Sequence, residues 1–168
     1  MEAKSAPVVE IFRLNTDLLL NCLSGVSEAD GARCVLPGTN SMAFITSHIV
    51  DARCFVLTLL DRSIPNPITD TLGNVQSIEE VQQMPGLDEL RGFWIDVSKH
   101  LEGCLETVSA KLLQAASPQK FPVSDNSVLG ALAFLVQHES YHLGQLAFIR
   151  KGLGYPAMAY ARSNNVDS

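Results

Sequence analysis

The chain has 168 residues, enough for one domain with its own core, and its 18 acidic and 12 basic side chains give a formal charge of −6. That balance excludes a general nucleic-acid surface, which needs a basic stripe to neutralise phosphates. Hydrophobic residues make up 46% of the chain, yet no apolar stretch reads as a membrane span of about 18 residues, so they are assigned to a core and no membrane partner is expected. Cys22, Cys34, Cys54 and Cys104 show no CxxC spacing, and residues 1–20 lack the basic-then-apolar pattern of a secretory signal. The expectation is four reduced thiols in a cytoplasmic protein.

The first predicted helix starts near Pro7, a residue suited to a first turn, and carries Val8, Ile11, Phe12, Leu18, Leu19 and Leu23 at helical spacing up to Ser24-Gly25. After Leu36-Pro37-Gly38-Thr39, either Asn40 or Ser41 can cap a second helix that runs to about Asp61, ahead of Ser63-Ile64-Pro65. The third follows Pro85-Gly86 and places Leu90, Trp94, Val97, Leu101, Cys104 and Val108 at alternating intervals of four and three, ending near Pro118. The fourth opens between Ser124 and Ser127 and continues to Leu153, with Gly152 and Gly154 as stop signals and Pro156 beyond. Strand signals are nearly absent.

Two of the three connections are short, as between antiparallel neighbours, but the stretch from Ile64 to Gly86 is about 23 residues with three prolines. It can run back along a helix. The expected fold is all-α, one domain over residues 1–168: a four-helix bundle in up-down-down-up order with a long crossover between helices two and three.

Histidines give this scaffold its chemistry. His138 and His142 are four apart, so on a helix they share a face and can grip one metal ion. The fourth helix reads Val128, Ala131, Leu135, His138, His142, Gln145, Ile149 as its inward seam. The second reads Ser41, Ile45, His48, Ala52, Phe55, Leu59, which brings His48 to the same core as a third ligand. One buried histidine is usually a hydrogen-bonded core residue. Three on inward seams would leave several imidazole nitrogens without partners, whereas one divalent cation takes a nitrogen from each. His100 lies off its seam and reads as a surface residue.

Asn40-Ser41, His48 with Asp51-Ala52-Arg53, and above all Tyr141-His142-Leu143-Gly144-Gln145-Leu146 with Arg150 and Gly154 resemble the DinB/YfiT-like superfamily over nearly the whole chain. The resemblance implies an up-down-down-up bundle with one divalent metal, zinc or nickel, on residues that correspond here to His48, His138 and His142. It also implies chemistry on a small molecule, for which thiol S-transfer with a low-molecular-weight thiol such as bacillithiol or mycothiol is the precedent. No DNA contact is implied.

Rival metal motifs fit less well. His138-Glu139-Ser140-Tyr141-His142 satisfies HExxH, but the extended protease form needs Gly at 145 and His at 148, where Gln145 and Phe148 stand, and the only acidic residue after Glu139 is Asp167. A di-iron bundle needs a second ExxH, and none occurs. Three neutral imidazoles leave a metal its full charge and open positions, so it could hold a thiol as thiolate or acidify water for hydrolysis. The alternatives are therefore a metal-dependent hydrolase and a non-catalytic bundle whose metal is structural or regulatory.

Asp51 and Gln145 each follow a proposed ligand by three residues and are candidates to orient an imidazole through its second nitrogen. Glu139, about 100° round the helix from His138, reads as a surface residue. Gly144 reads as a site of close helix approach, Tyr141 as donor to a ligand or packing between helices, and Trp94 as core. Phe134 and Phe148 lie off the seam and suggest cover by a second copy, hence a homodimer.

Overall fold

The computed structural model describes residues 5–72, 81 and 84–160. Among them are seven helices and no strand: α1 Ala6–Leu23, α2 Glu28–Ala32, α3 Met42–Leu59, α4 Thr69–Leu72, α5 Leu87–Thr107, α6 Ala110–Gln114 and α7 Val128–Gly152. The four long helices are the four expected from the sequence.

Their ends follow local chemistry. Pro7 sits in the first turn of α1, where its missing N–H costs nothing. Ser41 Oγ accepts from Phe44 N to start α3, and Ser127 Oγ accepts from Gly130 N to start α7. The N-cap of α5 is Gly86, which has no side chain to offer. Glu28 of α2 supplies the cap instead, its two carboxylate oxygens accepting from Leu87 N (2.6 Å) and Asp88 N (2.8 Å). A carboxylate there also meets the positive end of the helix dipole.

In cross-section the long helices form a ring, α1 packing against α5 and α7, and α3 against the same two. Phe12, Leu19 and Leu23 of α1, Ile49 and Leu57 of α3, Leu90, Trp94 and Leu101 of α5, and Leu132 and Leu146 of α7 fill the centre. α3 is long and apolar enough to cross a membrane by length and composition, contrary to the sequence expectation, and two-thirds of that stretch (67%) is buried inside the bundle. It also carries Asp51 and Arg53.

The third predicted helix is shorter than expected. α5 stops at Thr107, and Ser109 Oγ captures Leu112 N to start α6, a local bond that competes with helix continuation. The seam accordingly closes on buried Leu105, leaving Cys104 and Val108 half-buried. The short α2, α4 and α6 were not anticipated. α4 lies in the crossover, where Ile68 is fully buried, while residues 73–80, 82 and 83 of that crossover fall outside the described residues.

The largest correction concerns α7. Its innermost line is Val128, Leu132, Val136, Glu139, Leu143, Leu146 and Arg150, all buried, whereas His138, His142 and Gln145 are half-buried at its edge. Val128, Ala131, Leu135 and Ile149 of the predicted seam are buried as expected, so the inward face is wider than that seam and its centre is displaced towards Glu139 by less than one residue's turn of about 100°. Two charged residues, Glu139 and Arg150, face the core, and a charged side chain reads as solvent-facing until its buried partner is known. On α3 the same holds: His48, Ala52 and Phe55 are half-buried and Arg53 is interior.

Candidate metal centre

The histidines meet where the half-buried edges of α3 and α7 face each other. His138 Nε2 lies 3.3 Å from His48 Nε2 and 3.1 Å from His142 Nε2. The three rings are mutually edge-on, with centroids 4.5–5.1 Å apart. Helical spacing places His138 and His142 on one face, and antiparallel or parallel neighbours aside, only packing of α3 against α7 brings in His48.

Protonation follows from surroundings. Gln145 Oε1 is 2.7 Å from His142 Nδ1, and because an amide oxygen only accepts, Nδ1 carries the hydrogen and Nε2 presents a lone pair to the cluster. Burial pushes all three imidazoles towards the neutral form. His138 is lowered to about 4, by burial first and then by His142 and His48. His48 is lowered by burial and by His142, against the opposing charge of Asp51. His142 is lowered by burial, while the Gln145 bond favours its charged form.

This arrangement suits a cation. Donors placed tetrahedrally about 2.0–2.1 Å from a metal are about 3.3 Å from one another, close to the two Nε2 separations seen. The three ligand atoms all lie within 4.8 Å of one another, and the cluster could hold a metal ion. His138 Nδ1 is buried with no hydrogen-bond partner among the described residues, so a shared proton among the rings does not satisfy the group.

Of the two candidate orienting residues, Gln145 touches its histidine, as above. Asp51 instead accepts from Asn66 Nδ2 at 2.6 Å and reaches His48 through its charge. An aromatic wall closes one side: Phe134 stacks on His138 at 6.2 Å, Phe121 lies 5.2 Å from Phe134, and Phe55 6.4 Å from Phe121. Phe134 is thus covered within the chain, whereas Phe148 is 68% exposed.

Towards the N-terminal end of α3 a groove of about 560 Å³ runs between the Val35–Asn40 segment and α7, bordered by Leu36, Ile45, Tyr141, Gln145 and Phe148. No charged side chain lines it. Tyr141 is exposed rather than packed between helices, its hydroxyl accepting from Gln145 Nε2 at 3.3 Å. A Cβ on Gly144 would meet nothing within 4 Å, so this glycine borders the groove and does not mediate helix approach.

Glu139 is the clearest reversal. It is 3% exposed and forms a two-pronged ion pair with Arg53, itself 1% exposed, at 2.7 Å (Nε to Oε2) and 2.9 Å (Nη2 to Oε1). Both carboxylate oxygens are engaged, so Glu139 is no general base of an HExxH site. Arg53 spends its other donors on Thr16 Oγ1, Ser98 Oγ and Phe12 O, and its guanidinium carbon lies 3.6 Å from the Trp94 ring centroid. Trp94 is core, as expected, and fully buried. Arg53 entered the sequence reading only through the resemblance. Its signal was there: an arginine inside an 18-residue apolar helix needs a buried partner.

His100 stands apart, 3.9 Å from Asp96 on the same helix. All four cysteines are free thiols, and none joins the cluster. The sequence profile of the DinB superfamily matches residues 11–146, and the chain belongs to that superfamily. No curated protein matches it.

Proposed function

We propose that this member of the DinB superfamily is a metal-dependent enzyme acting on a small molecule, with one divalent ion, zinc or nickel, on His48, His138 and His142, and with thiol S-transfer as its activity. The observation that carries the reading is the convergence of three neutral Nε2 atoms at 3.1 and 3.3 Å. When bound, the ion would supply Lewis acidity with open positions, stabilising a thiolate at neutral pH.

The protein's own groups have definable parts. Gln145 keeps His142 in the tautomer that presents Nε2. Asp51 lends negative charge to the His48 side. Phe134 and Phe121 exclude water from one flank of His138, and the uncharged groove beside Gln145 fits the apolar part of a substrate. Low-molecular-weight thiol and electrophile are the co-substrates in this reading. Hydrolysis of a small molecule is the second reading, favoured by the same open positions.

The bundle order we infer is up-down-down-up. In support, Arg13 pairs with Glu102 and Glu106 while Thr16 O accepts from Trp94 Nε1, as antiparallel α1 and α5 require. Asn15 meets Ser140 and Cys22 O meets Arg150, as parallel α1 and α7 require. The exposed Phe148 and Leu36 support a homodimer formed over that face, checked by molecular mass from sedimentation equilibrium against a Phe148→Glu variant.

Elemental analysis of tag-free protein is the deciding experiment. About one zinc or nickel per chain, lost in His48→Ala and His142→Ala, followed by thiol consumption with an electrophile panel, is the expected result. Metal bound without any transfer or hydrolysis would leave a structural or regulatory ion. Protein that takes up no divalent ion would overturn the reading.

A further inference from the structure

α3 and α7 bear the histidines, and they are the two long helices whose apolar residues specify rotation least. α1 and α5 each have a distinct apolar stripe, whereas on α7 apolar and polar residues are both spread round the circumference and α3 is enclosed on most sides. Apolar burial is non-directional, so it tolerates rotation of such a helix. A metal site does not: a turn of one residue, about 100°, would carry His138 and His142 away from His48.

One directional contact opposes that rotation. Arg53 follows His48 by five residues on α3, and Glu139 lies between His138 and His142 on α7. Their paired bonds at 2.7 and 2.9 Å join the two helices next to the cluster, and a planar fork on a carboxylate sets orientation as well as distance. The fork itself is held. All five guanidinium donors are used, two on Glu139 and three on Phe12 O and Thr16 of α1 and Ser98 of α5, with the Trp94 ring beneath. The pair thereby refers the histidine helices to the other two.

We propose that the buried Arg53–Glu139 pair is a positioning element of the three-histidine centre, fixing the rotation and register of α3 against α7 that bring His48 to His138 and His142. The proposal rests on the metal reading of the triad, and its test separates the two. Buried ion pairs are often replaceable by apolar residues without loss of stability, so Arg53→Met with Glu139→Leu in the full chain can retain the fold while removing the directional contact.

Two readouts then apply. Cobalt(II) titration of wild type should give one equivalent with a visible ligand-field band that His48→Ala abolishes, and the double variant should bind about tenfold or more weakly with an altered band. In metal-free protein, proton NOEs between the His48 and His138 rings should be present in wild type and lost in the variant. A cooperatively folded double variant with native cobalt affinity and band, or with native ring NOEs, overturns the positioning role. Absence of cobalt binding by wild type overturns the metal reading alone, since the NOEs still decide the positioning. Should the double variant fail to fold, Arg53→Lys keeps the charge and loses the fork, and a native NOE pattern there overturns the proposal equally.

Discussion

The contact between Gln145 and His142 allows a prediction whose sign depends on the chemistry of one atom. Oε1 accepts from Nδ1 at 2.7 Å, on a ring that is half-buried. Gln145→Leu removes the acceptor at nearly constant size, which frees the ring to turn and lets the hydrogen move to Nε2, the atom that would hold the proposed cation. A neutral hydrogen bond contributes about 1 kcal/mol net, and loss of partners behind metal-bound histidines lowers affinity about 10- to 100-fold, so we expect a decrease near the lower end, about tenfold. Gln145→Glu keeps an acceptor and adds negative charge, so its affinity should equal or exceed that of wild type. Both variants lose the Gln145 Nε2 bond to Tyr141, which controls for that contact. Zinc competition against a chromogenic chelator at pH 7.5 measures all three proteins. Equal affinities, or Gln145→Glu binding as weakly as Gln145→Leu, would refute the argument that this bond sets the tautomer of His142.

Three other outcomes follow from burial and charge. In metal-free protein the three histidines have folded pKa values below the ordinary 6.5, His138 at about 4; a lowered histidine pKa favours the neutral form in the fold, so stability is full above pH 6.5 and falls as pH drops from 6.5 towards 4, read by urea midpoints across that range. Exposed Cys34 should react with a disulfide reagent at pH 8, while Cys22 and Cys54, buried and each raised to about 11 chiefly by that burial, should react only after denaturation, read by mass spectrometry of labelled peptides. Gly144→Ala should be neutral or stabilising by up to about 1 kcal/mol from helix propensity, because the new methyl meets open space, whereas Gly130→Ala should destabilise strongly, its Cβ falling against the backbone oxygen of Asp125; thermal melts distinguish them.

Much of the architecture was legible because it is locally encoded. Serine caps at Ser41 and Ser127, Pro7 in a first turn, and the four-three spacing from Leu90 to Leu101 depend on neighbours within a turn or two, and the helices form where those signals stand. His138 and His142 share a face by helix geometry alone, helical spacing on the second predicted helix puts His48 on an inward seam as the third ligand, and the family resemblance points to the same three residues. The end of α5 was missed because Ser109 recaptures the chain one residue past an otherwise continuous apolar pattern.

Rotation of the histidine helices was not legible. Periodicity assigns the inward face to apolar residues, and it placed Glu139 on the surface. A carboxylate belongs inside only when a cation waits for it there, and Arg53 lies 86 residues earlier in the chain, with its further partners on α1 and α5. The sequence by itself determined four amphipathic or apolar helices, their caps, and a pair of histidines one turn apart. Only the tertiary structure decided that two charges face the core and the histidines its edge, because the free energy of a buried ion pair depends on partners that helix periodicity cannot see.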